Sequence, residues 1–448
     1  MFRKVLVANR GEIARRIFRA CRQLGVGTVA VYSEADRDAA HLADADEAVA
    51  IGPAPARQSY LNVEAILSAV RQTGADAVHP GYGFLSEDWR FAAACAAEAV
   101  TFIGPSAEAI RTMGDKTAAR RLMSEAGVPI VPGSPGPVAG ADAAQQIAGQ
   151  LGFPVLLKAA AGGGGIGMAR VARAEDLGAA FAAAQRRAEA AFGSGALYLE
   201  RYLERPRHVE VQVFGDRDGA LVHVHERECS IQRRHQKLVE ESPAPGLPAA
   251  LKESLTGAAL RGARAIGYAN AGTMEFLVDS AGRFYFLEMN TRIQVEHPVT
   301  EEVTGLDLVV AQLRVAAGEP LGWRQDAIVQ RGAAIECRIY AEDPAKGFLP
   351  SPGTIGRLSL PSGEGVRVDC GVAPGSTVSV HYDPLLAKVI ARGGTRMEAI
   401  ERMARALEAC VIEGVQTTVP FLRRVVGHDA FRRGQAHTQM VEQGAFNA

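Results

Sequence analysis

Six cysteines are few for a chain of 448 residues, and no two of them form a C-x-x-C pair. Cys21, Cys95, Cys229, Cys337, Cys370 and Cys410 are scattered along the sequence. That usage excludes a disulfide frame and a zinc ribbon, and fits the reduced thiols of the cytosol. His223, His225, Cys229 and His235 gather loosely, but the spacing H-x-H-x3-C matches no familiar zinc site. A charge excess is also missing. The formal net charge is −1, so no basic field argues for nucleic acid. The one basic run, Gln232-Arg233-Arg234-His235-Gln236-Lys237, is short and has no interleaved aromatics, so it reads as a small-anion site or a solvated turn. No apolar run approaches the roughly 18 residues of a membrane span. Met1-Phe2-Arg3-Lys4 leads straight into a strand with no signal-peptide core, so a cytoplasmic location is expected. The G-x-G-x-x-G dinucleotide fingerprint fails at Asn9-Arg10-Gly11-Glu12, where only one glycine is present.

What is present suits a multidomain α/β and α+β protein. Its length implies about three domains. A content of 48% hydrophobic and 6% aromatic residues fits an Ala/Gly-rich protein with a sizeable core. Residues 4–8 read as a buried strand, 11–24 as a helix with an Arg-rich outer face, and 27–32 as the next strand. Alternation continues through residues 76–80 and 101–104, giving a Rossmann-like start. A Pro/Gly-dense joint at 130–140 introduces a small α/β unit with a strand over 154–159, a glycine run, an Ala-rich helix around 175–192 and a strand over 196–200. A β-rich stretch follows from His208 to about Thr300, and a break at 318–322 precedes a final α+β region.

The richest stretch is 284–297, Phe-Tyr-Phe-Leu-Glu-Met-Asn-Thr-Arg-Ile-Gln-Val-Glu-His. Read as one strand, it places Glu288, Asn290, Arg292, Gln294 and Glu296 on one face with period two. Acid, amide, base, amide and acid in that order describe an active-site floor better than a solvent face. Upstream, 272–278 and the turn signal Asp279-Ser280-Ala281-Gly282 predict a β-hairpin. A turn centred near Ala281 sets Glu275 opposite or diagonal to Glu288. Like charges so placed are destabilising unless neutralised. A Mg²⁺ ion held by both acids and Asn290 would neutralise them and accept nucleotide phosphates.

Glycines 162–165 and Gly167 follow the strand that carries Lys158. Glycine lets backbone N–H groups wrap an anion, and the lysine adds a point charge. The Walker signature G-K-[ST] is absent, so a mobile glycine lid over phosphates is expected instead. Lys116 reads as a second phosphate lysine or as a solvated surface residue. Glu200-Arg201-Tyr202-Leu203 ends a strand as a hinge offering backbone groups to adenine would.

Taken together, these residues resemble the biotin carboxylases of the ATP-grasp superfamily across essentially the whole chain. The likeness is carried by Ala8-Asn9-Arg10-Gly11-Glu12-Ile13-Ala14, by His79-Pro80-Gly81-Tyr82-Gly83-Phe84-Leu85-Ser86-Glu87 and by Pro206-Arg207-His208-Val209-Glu210. It continues through 232–237, 288–298 and Glu336-Cys337-Arg338-Ile339-Tyr340-Ala341-Glu342-Asp343-Pro344. The resemblance implies a Rossmann-like domain over 1–114, an ATP-grasp domain over 115–319 with its lid at about 131–203, and a C-terminal α+β domain over 320–448. It implies ATP contacts from Lys116, Lys158, Gly164, Gly165, Glu200, Leu203, His208, Gln232, His235, Glu275 and Glu288. One or two Mg²⁺ or Mn²⁺ ions would sit on Glu275, Glu288 and Asn290. Bicarbonate would meet Lys237, Arg292, Gln294, Val295 and Glu296, and biotin would meet Tyr82 and Arg338. Arg292, Glu296, Lys237 and Arg338 would be the catalytic set.

The implied chemistry begins with Glu296 deprotonating bicarbonate, which attacks the γ-phosphate to give carboxyphosphate. Arg338 then stabilises the biotin enolate that captures CO₂. No Met-Lys-Met biotinylation motif occurs, so biotin is expected on a separate carrier protein, with carboxyltransferase subunits as a third partner. The implied half-reaction serves an acyl-CoA carboxylase, with acetyl-CoA the expected acyl group. A homodimer through the face bearing Arg16 and Arg19 is also implied, though Gln23 and Glu364 depart from several relatives there. Ile166 stands where relatives usually carry Lys or Arg, Ala161 replaces a usual glycine, and Arg201 replaces a common lysine. The Glu275–Glu288 hairpin is one residue longer than in many relatives. Two rival readings remain: another ATP-grasp ligase, or an ATP-binding regulatory homologue without turnover.

Overall fold

The computed structural model describes residues 1–160 and 168–447. The expected glycine loop, with Ala161, Gly164, Gly165 and Ile166, lies outside the described residues.

The N-terminal region is a parallel five-stranded sheet. Its strands Lys4–Val7, Gly27–Tyr32, Glu47–Ala50, Ala77–His79 and Thr101–Phe102 lie in the spatial order third, second, first, fourth, fifth. Such sheets are covered on both faces, and their strands read as continuous apolar runs. Val5 and Val7 enter one core with Ile13, Ile17 and Phe18, while Leu6 and Ala8 enter another with Ile66 and Phe91. The order reverses between the first and fourth strands, where open α/β sheets bind ligands beyond the carboxyl ends. The helix whose first turn carries Glu12 and the loop that carries Tyr82 follow those two strands. Asn9 ties them, donating from Nδ2 to the Pro80 carbonyl at 2.8 Å and the Tyr82 carbonyl at 2.7 Å. Gly81 has φ +63°, and a Cβ there would come within 2.9 Å of that amide nitrogen. Glycine is therefore required at the turn.

The helix Gly11–Gln23 follows the first strand, as expected, but its arginines do not all face outward. Arg16 is buried, and its guanidinium donates to Glu301 at 2.8 Å and Asp307 at 2.7 Å. The ion pairs outweigh the desolvation that normally keeps arginine at the surface.

The small unit that follows is a three-stranded sheet with Val155–Ala159 between Ala169–Val171 and Leu197–Arg201. Helices Ala141–Leu151 and Leu177–Phe192 cover it through alanines 144, 148, 184 and 188.

An eight-stranded antiparallel sheet forms the body. Its order is Phe284–Asn290, Asn270–Val278, Arg207–Gly215, Leu221–Arg233, Gln236–Ser242, Ala333–Tyr340, Leu385–Gly393 and Val366–Cys370. The sheet does not break at 318–322, because Gln236–Ser242 pairs directly with Ala333–Tyr340. The stretch expected as β-rich from His208 to Thr300 also contains a helix, Ala249–Ala265. Its buried side is mostly small residues, Ala258, Ala259, Gly262 and Ala263, which give a weak apolar signal in sequence. A second correction concerns the active-site floor. The strand stops at Asn290, a turn runs over 291–296, and a helix His297–Thr304 begins with Pro298 in its first turn. Proline at that position presets the helical φ and lacks a donor the first turn leaves unused.

Candidate active site

The hairpin register is the one that gathers charge. Glu275 pairs with Glu288 on one side and with Glu210 on the other, and Glu210 pairs with Arg227 on the next strand. One rung across four strands thus carries Arg227, Glu210, Glu275 and Glu288. Side chains directly opposite in a ladder share a face, so the three acids crowd together. Lys237 reaches them from the strand Gln236–Ser242. Its ammonium donates to Glu210 at 2.5 Å, Glu275 at 2.7 Å and Glu296 at 2.8 Å. Arg227, fully buried, donates to Glu210 at 2.5 Å and Gln212 at 2.8 Å.

Glu296 lies at the end of the turn, entirely buried. Its second oxygen accepts from Arg338 at 2.8 Å. Burial alone would raise its pKa, but Lys237, Arg338 and Arg227 hold it well below the usual carboxylate range. Arg338 also lies 2.6 Å from Glu240. Although the strand ends early, the expected polar side chains still converge. Asn290 donates to Glu275 at 2.8 Å, Gln294 donates to Glu275 at 3.0 Å, and Arg292 donates to Asn290 at 2.8 Å and Gln294 at 3.0 Å. Glu87, from the loop after Tyr82, accepts from Arg292 at 2.9 Å and from the Thr291 amide at 3.0 Å.

A second group of expected residues faces this floor. His208 Nε2 is 2.9 Å from Glu275, and its Nδ1 is 3.2 Å from the Gln232 amide. Lys158 pairs with Glu200 at 3.0 Å, and Arg120 holds the other Glu200 oxygen. Lys116 opens the helix Lys116–Glu125 and is lowered by burial and by Lys158, with Glu288 and Glu200 opposing. His235 sits in the turn between Leu221–Arg233 and Gln236–Ser242, and burial lowers its pKa. Leu203 is half-buried just after the strand Leu197–Arg201. His223 and His225 pack ring against ring, and His225 Nε2 meets the Ile328 carbonyl at 2.9 Å, away from Cys229.

The acid rung fits a divalent cation. Glu275 is held low by Lys237 and His208 against its burial, whereas Glu288 is raised by burial and by Glu275. Lys116 and Lys158 only partly offset that rise, and a hard cation would supply the remaining positive charge. Such a floor, with cations for anionic oxygens and an ionised buried acid, can bind a nucleotide beside a small oxyanion and move a proton between them.

The comparisons decide the family. Residues 1–110 match the biotin carboxylase N-terminal domain and residues 336–443 its C-terminal domain. Residues 115–324 match the ATP-binding domain of the carbamoyl-phosphate synthase L chain. A biotin carboxylase of Halalkalibacterium halodurans is 53% identical over 441 residues, covering 98% of this chain and 97% of its own. The chain belongs to the biotin carboxylase family. Biotin carboxylases are ATP-dependent ligases, and this chain is one of them. A solved biotin carboxylase from Campylobacter jejuni, in a β,γ-ATP complex, superposes with a TM-score of 0.96 at 46% identity over 99% of each chain. The biotin carboxylase domain dimer of Hydrogenobacter thermophilus 2-oxoglutarate carboxylase, with MgADP, ADP and bicarbonate, gives 0.95 at 48% identity over 100% of this chain and 99% of that one.

Several residues of the site escaped the sequence reading: Glu210, Arg227, Glu240, Glu12 and Lys388. Glu210 follows His208 at the strand period, which was a usable signal. Lys388 is a lone lysine in the apolar strand Leu385–Gly393, and that too was visible.

Proposed function

We propose that this chain carboxylates biotin on a separate carrier protein, using ATP and bicarbonate, as the first half-reaction of an acyl-CoA carboxylase. The observation that carries the reading is Glu296, buried and ionised between Lys237 and Arg338. An oxyanion entering between those cations would compete for them and loosen their hold on Glu296. The carboxylate would then become basic enough to take the bicarbonate proton. Lys237 and Arg292 would balance the charge of the deprotonated bicarbonate as it attacks the γ-phosphate, with Gln294 and the Val295 backbone fixing its orientation. Lys116, Lys158, His208, Gln232 and His235 would hold ATP, with Glu200 and Leu203 near the adenine and Gly164 and Gly165 over the phosphates. Glu275, Glu288 and Asn290 would hold Mg²⁺ or Mn²⁺. Such an ion, when bound, spreads the negative charge that develops on the transferring phosphoryl group.

Carboxyphosphate breaks into CO₂ and phosphate, and the phosphate takes the ureido N1 proton of biotin. Arg338 would stabilise the enolate that captures CO₂, with Tyr82 at the mouth of the same pocket. Closing the site would keep water from carboxyphosphate. The division into 1–114, 115–319 and 320–448, and a homodimer through the Arg16 and Arg19 face, belong to the same reading. So do a cytoplasmic location and carboxyltransferase partners that choose the acyl group, acetyl-CoA in our reading.

The test is bicarbonate-dependent ADP release by the purified chain, with and without free biotin, beside Arg338→Ala. Biotin-stimulated release that vanishes in the variant is expected. Release indifferent to biotin would overturn the reading in favour of another ATP-grasp ligase.

A further inference from the structure

Lys388 is completely buried in the strand Leu385–Gly393. It pairs directly with Arg338 on one neighbouring strand and with Asp369 on the other. A buried cation opposite a second cation is an unfavourable placement unless counter-charges meet both. Glu296 and Glu240 meet Arg338. Lys388 is met by Glu12, 3.1 Å away and equally buried. An apolar side chain would fill the same space without desolvation, so the lysine's contacts identify what it contributes.

Those contacts run in two directions. On one side the Lys388 ammonium donates to the Val295 carbonyl at 2.8 Å, inside the turn that carries Arg292, Gln294 and Glu296. On the other side the Glu12 oxygen facing Lys388 also accepts from the Tyr82 hydroxyl. Tyr82 and Glu12 leave the parallel sheet at its switch point, while Val295 belongs to the body. A continuous polar path therefore joins Val295, Lys388, Glu12 and Tyr82 through three separate parts of the chain.

Resting on the reading above, we propose that Lys388 and Glu12 are positioning residues which lock the bicarbonate turn to the biotin loop. Neither touches a reacting atom. Lys388 fixes the height of the Val295 peptide, and hence where its neighbours Gln294 and Glu296 point. Glu12 fixes the rotation of the Tyr82 ring. Loss of Lys388 frees the Val295 carbonyl and leaves Glu12 and Tyr82 without their tie to the turn, while loss of the Glu12 charge weakens both bonds that its one oxygen carries. The path contains no ATP contact; it comes nearest at Glu275, which accepts from Gln294 at 3.0 Å, while Lys116, Lys158 and Gln232 lie on other elements.

The test is steady-state ADP release by Lys388→Met, Glu12→Gln and the double variant, varying bicarbonate, free biotin and ATP in turn. Lys388→Met raises KM for both bicarbonate and biotin about tenfold, the scale of one lost charged hydrogen bond. KM for ATP stays within about twofold. Glu12→Gln is isosteric and keeps the fold, and it raises the same two constants by about threefold, the scale of a hydrogen bond that loses its charge. In the double variant both constants match those of the worse single variant, as expected for links in one path. Unchanged constants for bicarbonate and biotin in folded Glu12→Gln would overturn the proposal, as would an equal rise in KM for ATP or multiplicative effects in the double variant. If the unaltered chain shows no biotin-stimulated release, the functional reading itself fails. If it does and the constants stay put, only the positioning role fails.

Discussion

Glu275 and Glu288 face each other across one rung of the hairpin, yet their charges are treated in opposite ways. Glu275 has Lys237 and His208 against it and is held low, while Glu288 is pushed up by its burial and by Glu275 itself. The asymmetry marks Glu288 as the carboxyl that gains most from a divalent cation. Glu288→Gln should raise the Mg²⁺ concentration for half-maximal ADP release about 10–100-fold, the usual scale when a group supporting a metal is lost. Excess EDTA should abolish turnover in the unaltered chain. A Mg²⁺ titration of both proteins checks this, and coincident curves would remove Glu288 from the metal site.

Among the described residues, Lys237 is the one cation shared by Glu210, Glu275 and Glu296. Lys237→Met leaves three buried acids crowded around an apolar side chain. Removing one partner of a buried ion pair costs about 3–5 kcal/mol. Denaturant unfolding should register a loss of that size, together with loss of bicarbonate-dependent ADP release. Full stability in the variant would mean that the acids find protons or other cations without strain.

Much of this arrangement was legible in the sequence. The hairpin 272–290 was placed by its turn residues, and Glu275 fell opposite Glu288 as the period-two pattern requires. The side chains of Glu288, Asn290, Arg292, Gln294 and Glu296 gather on one floor, as their order in the sequence suggests, though the strand ends at Asn290. Alternation and a turn leading into a helix can both bring every second side chain to one place, and periodicity does not separate them. Lys388, Glu12 and Arg227 escaped because their importance lies in pairings between distant segments. Arg16 was read as exposed because its counter-ions, Glu301 and Asp307, are nearly 300 positions away in the chain.

The thiols offer an independent check on the core. Burial pushes Cys21 and Cys95 up to about 12 and Cys410 up to about 11. Cys229, Cys337 and Cys370 are raised for the same reason. Thiolate is the reactive form, so native protein at neutral pH should react with a chromogenic disulfide far more slowly than a free thiol. The five buried cysteines should appear only on denaturation, with half-buried Cys370 the first to react. Rapid reaction in the native state would show that a thiol is more open than its packing indicates.

Glu240 gives a pH dependence whose sign can be worked out. It is fully buried, opposite Glu336 in the ladder and near Glu296 and Glu210. Burial is the largest influence, and despite Arg338 and Lys237 its pKa is pushed up to about 7 from the ordinary 4.5. Arg338 offers one charge to two carboxylates, and Glu296, which also has Lys237 and Arg227, is the one kept ionised. Between those two pKa values the folded chain retains a proton that the unfolded chain has released. Stability from this group is therefore complete below about pH 4.5 and declines as pH rises toward about 7. The slope is about 1.4 kcal/mol per pH unit for one proton. Glu240→Gln cannot titrate and still offers Arg338 an oxygen, so its stability should fall less steeply across that window. Glu336 is raised by burial and in part by Glu240, so its own shift shrinks in the variant and flattens the slope in the same direction. Urea unfolding at several pH values measures the two slopes, and parallel lines would mean that Glu240 is ionised in the folded chain throughout.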